Sequence, residues 1–433
     1  MKILLSASLL GLSFAAPAQP SNIQPTEVAR LVKTLSADAM QGRRSFEPGS
    51  LVAAQFIAEE FRKIGLVPLP GLSGYEQTFR VYRTQPGTPA VTLNGEVVSE
   101  ANVMVSTGKP SLQWANTDHQ PAEIATIAAN DNFPEKWSRL RQGSQNTLIL
   151  VHPDHAAPFR RYQEFLSRGS VQMATQDQGN HVCILTESAT ATAYQVKLVN
   201  RVDTLQLQNV VGTLPGKKRR LETVIFSGHY DHLGFLPPVN GDSIANGADD
   251  DASGTTAVIA LAQHFKKLGN NQRTLVFVAF TAEEIGGYGS KYFSERMNPD
   301  QVVAMFNIEM IGKRARFGPN TAWITGFEKT DFGKILQKNL RGSPYTFHPD
   351  PYPDQNLFYR SDNATLARQG VPAHSISTDE IDVDKLYHSV DDEFESLDVA
   401  SMTSVIRAIA RSATSIIAGK DTPTRVNTEA LKK

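Results

Sequence analysis

The chain has 433 residues, of which 40% are hydrophobic and 20% are charged, enough for a large core and for more than one domain. Its 43 Lys and Arg residues nearly balance its 44 Asp and Glu residues, so the formal net charge is -1. Because no Lys/Arg-rich run accompanies this balance, we expect neither nucleic acid nor an anionic membrane surface as a partner.

The first 18 residues have the pattern of a signal peptide. One lysine is followed by an apolar run and then by Ala16-Pro17-Ala18, which predicts cleavage after Ala18. The apolar run is too short for a membrane span. The single cysteine, Cys183, has no partner for an internal disulfide, and we expect a small buried apolar residue. We therefore predict a periplasmic or secreted bacterial protein.

Two segments after the signal peptide are predicted to be helical, "VARLVKTLSADAMQGRR" and "SLVAAQFIAEEFRKIGL". In the second, the apolar residues Val52, Phe56 and Phe61 fall on one helical face, and Gly65 suits the C-terminal cap. From about residue 81 to residue 204, short β-like pieces alternate with polar, turn-rich stretches. This change predicts a β-rich module inserted into a discontinuous main domain of residues 19–80 and 205–420.

Apolar strands alternate with helices in the second half of the chain. "ETVIFSGHYD", "RTLVFVAFTAEE" and "QVVAMFNIEM" are predicted buried strands, and "TAWITG" and "AHSIST" are shorter ones. A helix with Ser253 as its N-cap follows the first of them, and another covers Asp398 to Ala418. The pattern predicts a three-layer α/β/α domain with a mixed central sheet, and a loose tail over residues 421–433.

Imidazole and carboxylate groups follow several of the predicted strands. Ligands in such sheets bind at the carboxyl ends of the strands, so we expect these groups to meet in one crevice. A set of His, Asp and Glu without cysteine suits zinc and related divalent ions, and bound cations would relieve the repulsion among so many carboxylates. The groups are His229, Asp231, His232, the run Asp249 to Asp251, Glu283, Glu284, Glu309 and His388.

Five motifs in a fixed order resemble those of metallopeptidase family M28, the co-catalytic zinc aminopeptidases and their relatives. They are "SGHYDHLG", "NGADDDASG", "FVAFTAEEIGGYGS", "FNIEMIG" and "YHSVDDEFESLD", and the resemblance covers roughly residues 26–75 and 208–418. It implies a zinc-peptidase fold with two Zn²⁺ per chain and peptide substrates. Family members often carry a protease-associated (PA) domain in the middle, so it also implies a PA-like module over residues 81–204.

The resemblance assigns the metal ligands. His229 and Glu309 would hold one ion, Glu284 and His388 the other, and Asp250 would bridge the two. Many members have aspartate at the position of Glu309. Asp231 would orient the imidazole of His229, whereas His232 is expected to point elsewhere.

The catalytic roles follow from the same resemblance. Glu283 would act as the general base on a water that bridges the metals, and Tyr387 would donate a hydrogen bond to the oxyanion. The implied activity is that of an exopeptidase that removes N-terminal residues from peptides, in a protein expected to be monomeric. Three alternatives remain open: a carboxypeptidase, a single-zinc glutaminyl cyclase, and a non-catalytic binding protein on the same scaffold.

Overall fold

The structure is a computed structural model that describes residues 22–143, 145–173 and 179–429. The predicted signal peptide, residues 1–18, lies outside the described residues. Within the part of the chain that the structure describes, no helix has the length and apolar character needed to cross a bilayer.

The described residues contain 20 β-strands. In chain order they are β1 (Val67–Pro68), β2 (Glu76–Gln85), β3 (Ala90–Leu93), β4 (Glu96–Val97), β5 (Val103–Ser106), β6 (Ser111–Ala115), β7 (Glu123–Ile127), β8 (Thr147–Val151), β9 (Ser170–Gln172), β10 (His181–Leu185), β11 (Tyr194–Val199), β12 (Arg201–Leu214), β13 (Arg219–His229), β14 (Gly234–Val239), β15 (Asp242–Ala245), β16 (Arg273–Phe280), β17 (Val302–Ile308), β18 (Thr321–Ile324), β19 (Thr346–Pro349) and β20 (Ala373–Ser377).

Ten α-helices accompany these strands in the described residues. They are α1 (Pro25–Leu35), α2 (Pro48–Ile64), α3 (Phe133–Leu140), α4 (Ala156–Ser167), α5 (Gly254–Leu268), α6 (Tyr288–Ser294), α7 (Phe332–Leu340), α8 (Asn363–Ala367), α9 (Val399–Ser412) and α10 (Thr414–Ile417).

The main domain is built on a ten-stranded mixed sheet. Its order is β19-β18-β20-β17-β13-β16-β12-β2-β9, with β1 added beside β12. The central strands β16, β13, β17 and β20 are parallel, whereas β12 and β18 run antiparallel to their neighbours β16 and β20. The carboxyl ends of β13, β16 and β17 therefore meet at one edge of the sheet, where the predicted site residues follow them.

Both faces of this sheet are covered by helices, which confirms the predicted three-layer α/β/α fold. Successive strand residues alternate between faces. Phe226 and Phe277 pack against the layer that contains α1, α2, α5, α7 and α9. Ile225 and Val276 pack on the opposite face, against α6 and α8. Continuous apolar strands are expected for a sheet that is buried on both sides.

The inserted module has two sheets of four strands and a core of its own. The sheets have the orders β5-β10-β8-β7 and β4-β3-β11-β6. Leu148 and Val182 belong to the apolar cluster shared by both sheets, whereas Ile149 and the fully buried Cys183 pack on the outer face of the first sheet, against α3 and α4. The predicted β-rich character of the module is confirmed.

Three boundaries differ from the expectations. The strands β2 and β12 pair over their full lengths as part of the main sheet, so they cross the predicted limits at residues 81 and 204. The first predicted helix ends at Leu35, because the chain then turns to bury Arg43, whose guanidinium donates to main-chain carbonyls that include those of Tyr230 and Gly247. In the described part of the predicted loose tail, Val426 is only 5% exposed and packs beneath the sheet.

Candidate metal centre

The turn before α5 carries the three adjacent aspartates into the interior. All three are buried, and the peptide bond between Asp250 and Asp251 is cis. Asp251 holds the turn, because its Oδ1 accepts from Gly254 N at 3.0 Å and its Oδ2 accepts from His229 N at 3.0 Å. Asp251 thus provides the hydrogen bond at the start of α5 that was predicted for Ser253, whose hydroxyl instead donates to the carbonyl oxygen of Asp249.

One group of ligand atoms lies where β13 and β17 end. The Nε2 atom of His229 is 3.3 Å from Asp250 Oδ1 and 3.1 Å from Glu309 Oε1. Its Nδ1 atom lies 3.0 Å from the main-chain oxygen of Asp231, a contact that fixes Nδ1 as the donor and leaves Nε2 free to coordinate an ion.

A second group lies on the other side of Asp250. The Nε2 atom of His388 is 3.3 Å from Asp250 Oδ2 and 3.3 Å from Glu284 Oε2. The two oxygens of Asp250 therefore face the two imidazoles from opposite sides, which is the arrangement needed for a carboxylate that bridges two ions. All five residues that the sequence nominated as ligands are brought together.

His232 also belongs to this second group, so the expectation that it points elsewhere is wrong. Its Nδ1 atom is 2.8 Å from Glu284 Oε1 and 3.8 Å from Asp250 Oδ2, and its buried Nε2 has no hydrogen-bond partner. The chain turns after β13, so the alternation of side chains along a strand no longer applies at this position. The available sequence signal was the second histidine of "HYDH", but the orientation of its side chain depends on that turn.

Asp231 contacts its neighbours differently from what was expected. Its Oδ1 atom is 3.8 Å from His229 Nδ1, which is beyond hydrogen-bond distance. The carboxylate instead accepts from the main-chain nitrogen of Glu283 at 3.0 Å and from the hydroxyl of Ser45 at 3.1 Å. Asp231 thus orients His229 through its main chain, and its side chain anchors the end of β16.

The electrostatics of the centre reflect its crowded carboxylates. Burial, reinforced by Glu309, Asp362 and Glu284, raises the pKa of Glu283 well above its ordinary value even though His229 opposes the shift. A carboxylate with a raised pKa suits a general base, because it holds a proton more readily between two steps.

Asp250 shifts in the opposite direction. Burial acts against its charged form, but hydrogen bonds and charges from His229, His232 and His388 hold the pKa of Asp250 well below its ordinary range. The same pairing raises the pKa of His388 to about 10, since Asp250 and Glu284 outweigh the burial of the ring. In the absence of ions, the imidazoles of His229 and His388 supply positive charge to the carboxylates.

Two hydroxyl groups that sequence reasoning missed support the carboxylates. Ser361 donates to Glu309 Oε2 at 2.5 Å and also lies 2.7 Å from Asn307 Nδ2, within the strand before Glu309. Ser45 donates to Asp231 as described above. Neither was assigned from its motif, because a serine in a loop gives no sequence signal for the residue it will meet across the fold.

The centre opens into a pocket. At the wall of this pocket, the ring of Tyr387 stacks on that of His388 with centroids 3.8 Å apart. Tyr387 is therefore next to the candidate ligands, and its role as an oxyanion donor stays a prediction. The pocket is lined by Asp250, Glu283, Glu284, Glu309, Met310, Trp323, Thr325, Leu357, Arg360, Ser361, Ser375, Ser377, Asp379, Ile381, Tyr387 and His388.

The donor set fits divalent cations. Ligand atoms of His229, Asp250 and Glu309 lie within 4.8 Å of one another, and so do those of His232, Asp250 and Glu284. Nitrogen and carboxylate oxygen donors in groups of three or four, with Asp250 shared, match the composition of zinc sites with open positions. The arrangement can hold two ions beside a pocket that a substrate can enter.

Comparisons with known proteins agree with this geometry. Residues 209–413 match the model of peptidase family M28. The matched segment contains all five candidate ligands and the pocket walls. The chain is also similar to a "Probable zinc metalloprotease" of Pyricularia oryzae, with 36% identity over 25% of this chain and 22% of that protein. It is also similar to "Leucine aminopeptidase 1" of Ajellomyces capsulatus, with 29% identity over 45% of this chain and 52% of that protein. The chain thus spans about half or less of the length of these curated relatives.

Solved aminopeptidase structures share the fold. An aminopeptidase from Aneurinibacillus sp. strain AM-1 superimposes with a TM-score of 0.54 and 18% identity, over 94% of this chain and 96% of that one. A zinc aminopeptidase from Bacillus subtilis gives a TM-score of 0.55 and 14% identity, over 92% and 96% of the two chains. These comparisons extend over the inserted module as well as the main domain.

Proposed function

We propose that this protein is a zinc-dependent aminopeptidase that removes N-terminal residues from peptides. The observation that carries the proposal is the position of Asp250, whose two carboxylate oxygens each lie 3.3 Å from a different imidazole, those of His229 and His388. The names of the curated relatives and the M28 match over residues 209–413 support the same reaction.

His229, Asp250 and Glu309 would hold one Zn²⁺, and Asp250, Glu284 and His388 the other. Two such ions, when bound, polarise the scissile carbonyl and lower the pKa of water at the site. His232 has the position to support Glu284, because its Nδ1 lies 2.8 Å from Glu284 Oε1.

Glu283 is the proposed general base. It lines the pocket beside the candidate ligands without being needed as one of them, and its main chain is anchored by Asp231. Its raised pKa favours acceptance of a proton from the attacking water and return of that proton to the leaving amine. Tyr387, stacked on His388 at the pocket wall, would stabilise the oxyanion by donating its phenolic proton.

We further infer that the protein acts in the periplasm or outside the cell. This inference rests on the composition of residues 1–18 alone. Fractionation of cells that express the full chain, with N-terminal sequencing of the product, tests it. Recovery from the cytoplasm with an intact N-terminus would contradict it.

One experiment tests the proposed reaction. The purified protein, loaded with Zn²⁺, is assayed on aminoacyl-anilides and on peptides with a blocked N-terminus. Its metal content is measured at the same time. We expect hydrolysis of the free aminoacyl substrates only, with about two ions per chain. Hydrolysis from the carboxyl end of blocked peptides would identify a carboxypeptidase, and cyclisation of N-terminal glutamine would identify a glutaminyl cyclase.

A further inference from the structure

The pocket beside the metal centre contains one carboxylate that the proposed reaction does not use. Asp379 lines this pocket, is only 3% exposed, and has no hydrogen-bond partner at its Oδ1 atom. An unpaired buried carboxylate is costly, so its presence next to a substrate pocket calls for a partner.

The loop that bears Asp379 is held by its main chain. Asp379 N donates to the hydroxyl of Ser377 at 3.1 Å, and its carbonyl accepts from the indole nitrogen of Trp323 at 3.1 Å. These contacts position the residue without involving its carboxylate. The Oδ1 atom, which has no hydrogen-bond partner, therefore remains available for a ligand.

The nearest cation is already engaged elsewhere. Lys313 Nζ lies 2.6 Å from Asp384 Oδ2 and 3.3 Å from Asp249 Oδ2, and both of these carboxylates lie close to Asp379. Among residues 22–143, 145–173 and 179–429, no Lys, Arg or His forms an ion pair with Asp379. Burial, the charges of Asp249 and Asp384 and a side-chain hydrogen bond with Asp384 raise the pKa of Asp379 to about 8, and the charge of Lys313 opposes this shift only in part.

Two hydroxyl groups that line the pocket have their protons committed. The hydroxyl of Ser375 donates to Asn363 Oδ1 at 3.0 Å, and that of Ser377 donates to the carbonyl of Met310 at 3.0 Å. Arg360, the one Lys or Arg among the lining residues, is exposed at the pocket rim and contacts Gln355. Asp379 Oδ1, in contrast, has unused hydrogen-bonding capacity.

The pocket walls above Asp379 are apolar. Trp323 and Leu357 belong to one buried cluster, which Ile381 joins at its edge, and Met310 and Tyr387 complete the lining. Apolar walls that lead to a carboxylate match a side chain with an aliphatic stem and a cationic end, which describes lysine and arginine.

We propose that Asp379 is a specificity-determining residue that makes this pocket prefer substrates with an N-terminal lysine or arginine. The inference rests on the proposed aminopeptidase function and adds the substrate class. The peptide would place its scissile carbonyl at the metal centre and its first side chain against the apolar walls. The ammonium or guanidinium group would then donate to the Asp379 carboxylate.

The test compares anilides of lysine, arginine, leucine and norleucine, because norleucine keeps the stem of lysine and lacks its charge. In the wild-type protein we expect kcat/KM for lysine to exceed that for norleucine at least about tenfold, as a charge-assisted hydrogen bond in a buried site provides. In Asp379→Asn, kcat/KM for the lysine and arginine anilides should fall at least about tenfold. The value for the norleucine anilide should change less than about threefold. Asp382→Asn, an exposed carboxylate in the same loop, is the matched control and should preserve the preference.

Several outcomes would overturn the proposal. A wild-type protein that hydrolyses norleucine as well as lysine contradicts it, even if Asp379→Asn fails to fold. An equal loss for both substrates in a folded, metal-loaded Asp379→Asn protein would show that Asp379 acts on the substrate's α-amino group or on the fold. Inhibition by butylamine no stronger than by butanol would also contradict it. If no aminoacyl-anilide is hydrolysed at all, the proposed function fails as well, and the two failures are therefore distinguishable.

Discussion

The interior of the inserted module and the crevice at the end of the main sheet are both buried, but different kinds of side chain fill them. Between the two sheets of the module lie apolar residues such as Leu148 and Val182. In the crevice, His229, Asp250 and Asp251 are fully or almost fully buried and ionisable. Apolar burial stabilises a fold, whereas buried charges oppose folding unless each has a partner.

This difference separates a region whose burial stabilises the fold from a region whose buried charges oppose folding. The module carries its own core and is joined to the main domain through the β2–β12 ribbon and β9. The crevice depends on pairing between residues more than 150 positions apart, such as His229 and His388 through Asp250. Substitutions in the crevice should therefore change activity or metal binding, whereas substitutions in the module core should change stability.

Replacement of the proposed base should give the largest effect. In Glu283→Gln we expect kcat to fall about 10³- to 10⁴-fold, because the amide cannot accept the proton, while metal content and thermal stability stay unchanged. Steady-state assays with metal analysis and a thermal melt check this. Glu295→Gln, at an exposed glutamate that directly follows α6, is the control. Retained turnover in Glu283→Gln would assign the base to another residue.

The two histidines that face Glu284 should differ in their importance for metal binding. His388→Ala should lose about one ion per chain and at least about 100-fold in activity, because a proposed ligand is removed. His232→Ala should weaken metal affinity about 10- to 100-fold and regain activity at high Zn²⁺, as expected for a residue that supports a ligand. Metal titrations monitored by calorimetry distinguish them. Equal behaviour of the two variants would make His232 a ligand in its own right.

The module core offers the opposite test. Trp137 is 1% exposed and packs between α3, α4 and the first sheet of the module. Trp137→Ala should lower the free energy of unfolding by about 3–5 kcal/mol, while kcat/KM per folded molecule stays within about twofold. Urea unfolding and assays of the folded fraction measure both. Phe165→Ala, at a side chain 62% exposed in the same module, should change stability by less than about 0.5 kcal/mol. A large loss of kcat/KM in Trp137→Ala would instead couple the module to catalysis.

A buried histidine outside the set of candidate ligands should give the smallest effect, seen in the pH dependence of stability. His374 is fully buried on β20, where its Nδ1 donates to the carbonyl of Thr325 and its Nε2 accepts from the hydroxyl of Thr330. Burial lowers the pKa of His374 to about 4, so the folded protein keeps the ring neutral.

The sign of this effect follows from the lowered pKa. The unfolded chain binds a proton near pH 6.5 and the folded chain only near pH 4, so stability present above pH 6.5 is lost as the pH falls. Between pH 8 and pH 5 we expect a loss of about 2 kcal/mol from this group. Urea unfolding at the two pH values should show this loss in wild type and in His119→Asn, an exposed control, and a smaller one in His374→Asn. If His374→Asn lost as much stability between the two pH values as wild type, the effect could not come from His374.

The fold could be predicted to a large extent from local patterns, and the candidate ligands from the resemblance to family M28. The apolar strands β13, β16 and β17 and the helices α5 and α9 follow the periodicity of their residues. The five candidate ligands come from strand ends and adjoining loops that were expected to lie at one edge of the sheet, and they do meet. The module's β-rich character was also predictable from its short strands and turns, although its limits were not.

The sequence by itself determined the elements, their order and the residue types at the strand ends, because these depend on interactions within a few positions of the chain. Only the tertiary structure decided that His232 turns toward Glu284, that Asp231 meets Ser45, that Val426 packs beneath the sheet and that Asp379 has no partner in the pocket. Each of these depends on loops from distant parts of the chain. Their approach depends on the packing of the whole sheet and its helices, which no local pattern encodes.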